Sequence, residues 1–348
     1  MKFSPVPTES KSSINRAGQA LVDNIASVEE LERARDLANR WRACHAYPIN
    51  TFQSTLRRKL SVYSSDPIVA QRLKRMPTMI DKLKRYTSMQ LTTMQDIGGV
   101  RAILGKVSDV YKLAGEYKSK SRFAHELINE YDYIQNPRDE DGYRSLHLIY
   151  KYRNSQHPEF DGLRLELQVR TKLQHTWATA VETMDTLLGQ ALKYRQGDKR
   201  WQDFFAITSS AFAYMENNPP IPRFKALSLK ETALAVAAAE EKLSALEKMT
   251  GFSAAVDFIS KKRRGRSYHL LILDSLARKV RIKNYDRDSF EKAQEDYSEF
   301  ERRAADGEKI EPVLVSAGSI DKLRRAYPSF FLDIGDFINK VKEIVKSK

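Results

Sequence analysis

The sequence predicts a mixed α/β (α+β) fold divided into two domains. Between about residues 68 and 185, short runs with β-strand character alternate with runs of helical spacing, which is typical of a mixed α/β domain. Residues 217–222, Asn-Asn-Pro-Pro-Ile-Pro, cannot continue a helix. At 348 residues the chain is long enough for two domains that each bury a core. We therefore expect a first domain at residues 1–223 and a second at residues 224–348.

The first domain is predicted to begin with helices. Ser27 and Glu30 form an S-x-x-E capping box, a pattern that typically opens a helix, and apolar residues then recur at helical spacing up to Trp41. Because the residue before a proline avoids helical backbone angles, we expect this helix to stop before Pro48. A second helix is expected at about residues 51–63.

The second domain is predicted to be a small α/β unit. It is expected to begin with an Ala/Leu/Glu-rich helix at about residues 229–248. Beyond it, the pattern predicts strands at 269–273 and 279–284, a helix at 289–304, a strand at 312–316 and a helical end.

Composition favours a soluble protein with polyanionic partners. Lys and Arg outnumber Asp and Glu by 59 to 45, so the net charge is +14, which is compatible with nucleotides, RNA or acidic proteins as well as with a merely solvated basic surface. No run approaches the ~18 apolar residues of a membrane span, and the N-terminus lacks a secretory apolar region, so we expect a cytoplasmic protein without membrane contact. One cysteine and six scattered histidines make a structural zinc site or disulfide unexpected.

A basic segment at residues 72–82 is a candidate phosphate site. Arg72 and Lys74 lie two apart and so share a face of an extended segment, whereas Pro77 suits the first turn of a helix that carries Thr78 and Lys82 on one side. Cations beside a helix N-terminus are suited to binding phosphate. A solvated charged helix face is the alternative.

Two acidic residues are candidate metal ligands. Asp96 leads through two glycines into an apolar strand, and Glu166 lies on the polar face of residues 163–170, where apolar and polar side chains alternate strictly. Two carboxylates at one metal form a minimal site for phosphoryl or pyrophosphoryl transfer. Each residue alone also fits a turn or an exposed strand edge.

A loop between these segments is a candidate nucleotide contact. Pro137 and Gly142 mark the loop, Tyr143 follows directly, and Ser145 and His147 alternate with apolar residues of the next strand. A loop tyrosine can stack on a base while hydroxyl and imidazole groups address sugar or phosphate. A core tyrosine after a turn is the alternative.

Taken in this order, the four segments resemble the RelA/SpoT synthetase domain over about residues 41–185. The R-x-K-x-x-x-S/T-I-x-x-K segment of that family matches residues 72–82, with Met79 in place of the Ile, and its D-I-x-G-I/V-R segment matches residues 96–101. The D-Y-I to G-Y-x-S-x-H stretch matches residues 132–147, and E-I/L-Q-I/V-R-T matches residues 166–171.

The resemblance implies a nucleotidyltransferase-like mixed sheet flanked by helices and an ATP-dependent pyrophosphokinase that uses Mg²⁺. Asp96 and Glu166 would hold the magnesium, and Glu166 would also activate the 3′-hydroxyl of an acceptor ribose. ATP would contact Arg72, Lys74, Thr78, Lys82 and Arg101, and the acceptor would contact Tyr143, Arg144, Ser145, His147 and Gln168. The hydrolase domain of that family needs a His-Asp pair, which this sequence lacks, so we expect synthesis without hydrolysis.

The chain as a whole resembles a more specific group. W-R-x-x-H-x-Y-P at residues 41–48 and Y-P-S-F-F at residues 327–331 are similar to segments of CapRel, the toxic small alarmone synthetases fused to their own antitoxin domain. This resemblance implies a pseudo-zinc-finger second domain that covers the ATP site through Tyr327 and Phe330 until a phage protein, such as a capsid protein, releases it. It further implies anti-phage defence by pyrophosphorylation of the 3′ CCA end of tRNA. The group usually has Tyr-x-x-Tyr, so Phe330 lacks a hydroxyl.

Two departures from the family pattern disfavour a guanine nucleotide as acceptor. Alarmone-making members usually carry a basic residue where this chain has Tyr131, and the acids at residues 139–141 would repel a charged nucleotide tail. An ordinary (p)ppGpp synthetase using GDP or GTP is the alternative. An inactive RNA-binding regulator with the basic run at residues 261–266 is a second alternative, which the retained Asp96 and Glu166 disfavour because RNA binding needs no paired carboxylates.

Overall fold

Three helices precede the first strand. The computed structural model describes residues 3–63, 68–119, 124–188, 199–243, 245–246, 249, 268–274, 279–286, 289–308, 310–316 and 335–346. Helices α1 (Lys11–Asp23), α2 (Val28–Cys44) and α3 (Ala46–Leu60) lie at the N-terminal end. Ser27 Oγ accepts the N–H of Glu30, and the Glu30 carboxylate accepts the N–H of Ser27, so the predicted capping box is confirmed.

The predicted start of the second helix is wrong by five residues. Helix α3 begins at Ala46 and contains Pro48 in its first turn, where a proline is tolerated because the N–H groups there have no partner within the helix. Pro48 and Ile49 are both buried, so packing favours the helical backbone at these positions. The local preference of the residue before proline is thus overridden by burial.

A five-stranded sheet forms the centre of the RelA/SpoT-like stretch of the chain. Its order is β1-β2-β5-β4-β3, and the strands are β1 (Ile68–Leu73), β2 (Gly98–Leu104), β3 (Glu126–Asp132), β4 (Leu146–Lys151) and β5 (Arg164–Thr171). The pairs β1·β2 and β4·β5 are antiparallel. Between β2 and β5 the contacts advance in the same direction, from Gly99 against the Glu166 carbonyl to Arg101 on Gln168, so the sheet is mixed as predicted.

Helices cover this sheet and connect its strands. Helix α3 packs on β1 and β2, α4 (Met76–Arg85) follows β1, and α5 (Val107–Lys118) follows and contacts β2. The predicted mixed sheet flanked by helices is therefore confirmed. Along β5, Leu165, Leu167 and Val169 are buried, so the alternation read from the sequence separates a core face from the face that carries Glu166 and Gln168.

Gly98 allows β2 to enter the sheet close to its neighbours. A Cβ at this position would lie 2.7 Å from Leu165 Cδ2 and 2.9 Å from Ile49 Cγ1, distances shorter than packed atoms tolerate. The glycine thus brings the residues just before β2, including Asp96, close to β5.

Four helices form a second core. They are α6 (Lys172–Leu188), α7 (Lys199–Met215), α8 (Leu229–Leu243) and α10 (Gly335–Lys346), the last helix in the chain. Large aromatic side chains fill the space between them, and Phe337 of α10 lies fully buried against Phe204, Phe205 and Phe212 of α7. The break predicted at residues 217–222 is confirmed, because α7 ends at Met215 and Asn217 adopts a left-handed conformation.

A three-stranded antiparallel sheet lies in the C-terminal part of the chain. Strands β6 (Tyr268–Asp274), β7 (Lys279–Tyr285) and β8 (Ile310–Ser316) pair in the order β7-β6-β8. Helix α9 (Phe290–Ala305) packs on them through Ala293 and Phe300. Pro312 lies in β8, an edge strand, where a missing N–H does not interrupt the sheet. The predicted small α/β arrangement is confirmed.

The chain divides into two units, each made of separated stretches. The first unit combines Met1–Tyr131 with Leu146–Arg170, and the second combines Asp132–Ser145 with Thr171–Lys348. The domain boundary predicted near residue 223 stays a prediction. In the described part of the chain, no helix has both the length and the apolar character needed to cross a membrane.

Candidate active site

Two lysines surround Asp96 in the first unit. Lys74 Nζ lies 2.9 Å from Asp96 Oδ2, and Lys82 Nζ lies 2.9 Å from Asp96 Oδ1. Lys74 directly follows β1, and its main-chain N–H donates to the Ile97 carbonyl, which fixes it beside Asp96. Lys82 comes from α4, a little over one turn after Pro77 at the start of that helix. The predicted phosphate-binding lysines are thus brought together at the predicted metal ligand.

The charges around Asp96 keep it ionised. Burial works against the charged carboxylate, but Lys74 and Lys82 outweigh it and lower the pKa of Asp96 to about 2. Burial also lowers the pKa of Lys74, assisted by the positive charges of Arg72 and Lys82 and opposed by Asp96. Arg72, which lies in β1 two residues before Lys74, therefore adds its positive charge to the same cluster.

Both carboxylate oxygens of Glu166 have partners from the sheet. His147 Nδ1 lies 2.7 Å from Oε1, and Gln168 Nε2 donates to Oε2 at 2.7 Å. Burial opposes ionisation, but the charge and hydrogen bond of His147 and the hydrogen bond of Gln168 hold the pKa of Glu166 below its ordinary value. The negative charge of Asp96 acts in the opposite direction, so the two carboxylates interact electrostatically.

Arg101 joins this group from β2. Its Nε donates to Gln168 Oε1 at 3.2 Å, so Arg101, Gln168 and Glu166 form a chain of contacts across β2 and β5. Of the other predicted ATP contacts, Thr78 lies half-buried in α4. The structure thus gathers Lys74, Lys82 and Asp96 in one cluster and Arg101, Gln168, His147 and Glu166 in another, all within the first unit.

The carboxylates suit a hard divalent cation. Asp96 Oδ1 is buried and lies 2.9 Å from Lys82 Nζ in an ion pair. Mg²⁺ prefers oxygen ligands and is commonly held by one or two carboxylates together with substrate phosphates. Within the described residues, no group of three or more His, Cys, Asp and Glu side chains is arranged to hold a metal. Asp96 and Glu166 are the residues that would hold such an ion.

Tyr143 lies in the second unit, in a turn stabilised by Arg138 and Asp141. The Arg138 guanidinium lies 4.7 Å from the centre of the Tyr143 ring, and it pairs with Asp141 at 2.6 Å. Asp141 also accepts the N–H of Tyr143. Gly142 has φ +77°, and a Cβ there would lie 2.8 Å from Ser209 Cβ, so the turn requires glycine.

Arg138 is a residue that sequence reasoning did not select. The sequence indicated it only through its position directly after Pro137, where the RelA/SpoT synthetase domain has a basic residue. In the structure it covers Tyr143 and lies 5.9 Å from the Tyr133 ring centre, so it controls the surroundings of the predicted stacking residue.

Arg144 and Ser145 are buried in the second unit. The Arg144 guanidinium donates to Ser209 Oγ, the Ile134 carbonyl and the Pro219 carbonyl, which ties the loop to α7 and to the segment after it. Ser145 is fully buried. Their predicted contact with an acceptor stays a prediction.

The loop acids Asp139 and Asp141 are engaged by a main-chain donor and a cationic residue. Asp139 accepts the main-chain N–H of Arg223 at 2.8 Å, and Asp141 pairs with Arg138. Their repulsion of a charged acceptor is therefore weaker than the sequence alone predicts. The regulatory candidates Tyr327 and Phe330, and the basic run at residues 261–266, lie outside the described residues.

Part of the chain matches the model of a known protein family. Residues 71–185 match the family model described as "Region found in RelA / SpoT proteins". The chain carries a RelA/SpoT-like region. This region contains Asp96, Glu166 and both lysines, and the resemblance inferred from the four sequence segments is confirmed.

Three curated relatives match part of the chain. GTP pyrophosphokinase YwaC of Bacillus subtilis is 30% identical over 126 residues, which cover 34% of this chain and 58% of that protein. GTP pyrophosphokinase YjbM of B. subtilis is 29% identical over 134 residues, 37% of this chain and 62% of that protein. The uncharacterized protein Rv1366 of Mycobacterium tuberculosis is 31% identical over 137 residues, 38% of this chain and 44% of that protein. The chain thus spans about half the length of the curated relatives it matches.

Solved structures also resemble part of the chain. Small alarmone synthetase 1 of B. subtilis bound to its product pppGpp is 23% identical with a TM-score of 0.42, covering 51% of this chain and 92% of that one. Small alarmone synthetase 2 of B. subtilis is 24% identical with a TM-score of 0.40, covering 49% and 91%.

Proposed function

We propose that this protein transfers the pyrophosphate group of ATP to a ribose 3′-hydroxyl with the help of Mg²⁺. The observation that carries the proposal is the pair of partly buried carboxylates, Asp96 and Glu166, with two lysines on the first and a histidine and glutamine on the second. Carboxylates for a metal beside cations for phosphates are what phosphoryl-group transfer needs. The names of YwaC and YjbM support the same chemistry.

In this proposal each residue has a distinct task. Arg72, Lys74 and Lys82 bind the phosphates of ATP, and Asp96 and Glu166 hold the magnesium, which would neutralise charge on the phosphate oxygens when bound. The bond between the acceptor O3′ and the β-phosphorus forms while the bond from the β-phosphorus to the α-phosphate oxygen breaks, so AMP leaves.

Glu166 is suited to take the proton of the attacking hydroxyl. Its lowered pKa keeps the carboxylate ionised at neutral pH and therefore able to accept a proton. His147 and Gln168 contact the two oxygens and so orient the carboxylate.

We propose tRNA, at its 3′ CCA end, as the acceptor. Tyr131 supports this choice: it is 38% exposed, and its hydroxyl lies 3.4 Å from Gln95 Oε1, next to Asp96. An uncharged side chain here offers no cation to the phosphates of a small nucleotide, whereas the net charge of +14 suits a large polyanion. Tyr143 would stack on the terminal base. GDP or GTP is the second candidate, supported by the names of the two pyrophosphokinase relatives.

We further propose that the enzyme is an autoinhibited toxin of anti-phage defence. The resemblance to the fused toxin and antitoxin synthetases supports this role, with Tyr327 and Phe330 restraining ATP binding until a phage protein, such as a capsid protein, releases them. Pyrophosphate on the 3′ end of tRNA would block aminoacylation and hence translation.

An acceptor assay tests these proposals. The parent, Tyr327→Ala and Glu166→Gln proteins are incubated with γ-labelled ATP and either GDP, GTP, intact tRNA or tRNA that lacks the terminal 3′-hydroxyl. Label in intact tRNA alone supports the proposed acceptor, and label in guanine nucleotides supports the second candidate. Absence of label in every reaction of the folded parent and of Tyr327→Ala would refute the enzymatic proposal.

A further inference from the structure

Asp96 is already neutralised by the chain itself. The side chains of Lys74, Lys82 and Asp96 are only 12%, 22% and 20% exposed, and each lysine nitrogen lies 2.9 Å from a different carboxylate oxygen. Both oxygens that a divalent cation would use therefore face an ammonium group. Buried ion pairs of this kind are costly to separate unless a new partner replaces the old one.

The local charge balance is unfavourable for a metal ion alone. Arg72, Lys74 and Lys82 bring three positive charges against the single negative charge of Asp96. The second carboxylate, Glu166, is engaged by His147 and Gln168. A divalent cation would enter against net positive charge, whereas a triphosphate would be attracted by it.

The lysines are able to exchange partners without moving the main chain. Each ammonium lies at the end of a flexible four-carbon stem. The main chain of Lys74 is fixed by its bond to Ile97, and that of Lys82 lies inside helix α4. Rotation of the side chains alone therefore transfers both ammonium groups from the carboxylate to phosphate oxygens.

We propose that Lys74 and Lys82 occupy the cation position on Asp96 in the nucleotide-free protein, so that the divalent cation binds only together with the triphosphate. The inference rests on the proposed function and adds a dependence of metal binding on nucleotide binding. ATP and metal then bind with positive coupling. ATP draws the lysines away from Asp96 and so frees the carboxylate for the metal, and the metal replaces the lysines as the partner of Asp96. Asp96 conversely competes with metal-free ATP for the two lysines.

Binding of ATP without metal gives the first test. In EDTA, we expect Asp96→Asn to bind ATP about tenfold more tightly than the parent by calorimetry, because the lysines no longer have to leave a carboxylate. An affinity equal to that of the parent would count against the inference. Asp81→Asn, which removes the same charge from an exposed position on α4, is the matched control and should change the affinity less than about twofold.

Binding of metal without ATP gives the second test. Electron paramagnetic resonance of Mn²⁺ should show about tenfold tighter binding to Lys82→Gln than to the parent, and an unchanged affinity for Lys84→Gln, an exposed neighbour on the same helix. If one variant does not fold, the other decides. Unchanged affinities in the folded variants overturn the inference while leaving the proposed function intact. Failure of both the parent and the folded Tyr327→Ala variant to bind ATP with Mg²⁺ would instead overturn the proposed function.

Discussion

Phe337→Ala is expected to destabilise the second unit strongly. Phe337 is fully buried, and its ring centre lies 5.7 Å from those of Phe205 and Phe212 and 6.2 Å from that of Phe204. Three aromatic neighbours from one helix leave little freedom for the core to collapse around the missing ring. Substitutions of this type cost about 3–5 kcal/mol. We expect a loss of about 4 kcal/mol in the free energy of unfolding.

Urea unfolding followed by tryptophan fluorescence measures this loss. Trp177 and Trp201 lie in the same core as Phe337, so their emission reports its exposure. Lys342→Ala, an exposed change on the same helix, is the control and should stay within about 0.5 kcal/mol of the parent. A loss below about 1 kcal/mol for Phe337→Ala would refute the assignment of α10 to this core.

The result bears on how regulation can be tested. Truncation after residue 223 would remove both α8 and α10, which pack on α6 and α7 in one core. Loss of activity after such a truncation would therefore report unfolding as readily as a catalytic effect. Single substitutions in the segment at residues 327–331 are the better test of autoinhibition.

Four further predictions concern chemistry, acceptor, regulation and pH. Asp96→Asn and Glu166→Gln should each lower pyrophosphate transfer by about 100-fold or more at equal folded concentration, and near-parental turnover would contradict the assigned site. Tyr143→Ala should weaken acceptor binding about five- to 100-fold while ATP affinity, measured by calorimetry, is kept, because stacking on a base is worth ~1–3 kcal/mol. Tyr327→Ala should raise ATP turnover without a phage protein, and an equally inactive folded variant would count against autoinhibition. Burial lowers the pKa of His45 to about 4 in the folded protein, whereas the unfolded chain binds the proton near pH 6.5. The free energy of unfolding should therefore fall by about 3 kcal/mol as the pH drops from above 6.5 to 4. Urea unfolding should show a smaller loss in His45→Gln.

Local features of the fold could be predicted from the sequence because they depend on neighbours in the chain. The capping box at Ser27, the alternation along β5 and the proline-rich break after α7 each follow from residues within a few positions of one another. The start of α3 could not be predicted in the same way. There the burial of Pro48 and Ile49 against distant residues decided the backbone conformation.

The sequence by itself determined which residue types carry the chemistry, since four ordered segments supplied the carboxylates, the cations and the loop tyrosine of a RelA/SpoT-like region. Only the tertiary structure decided their partners. Lys74 and Lys82 meet at Asp96 because the β1·β2 register and the position of α4 bring together residues 14 to 22 positions apart. His147 contacts Glu166 because β4 pairs with β5. Arg138 covers Tyr143 through a turn that needs the positive φ of Gly142. Such contacts depend on strand register and helix packing, which no local pattern of residues specifies.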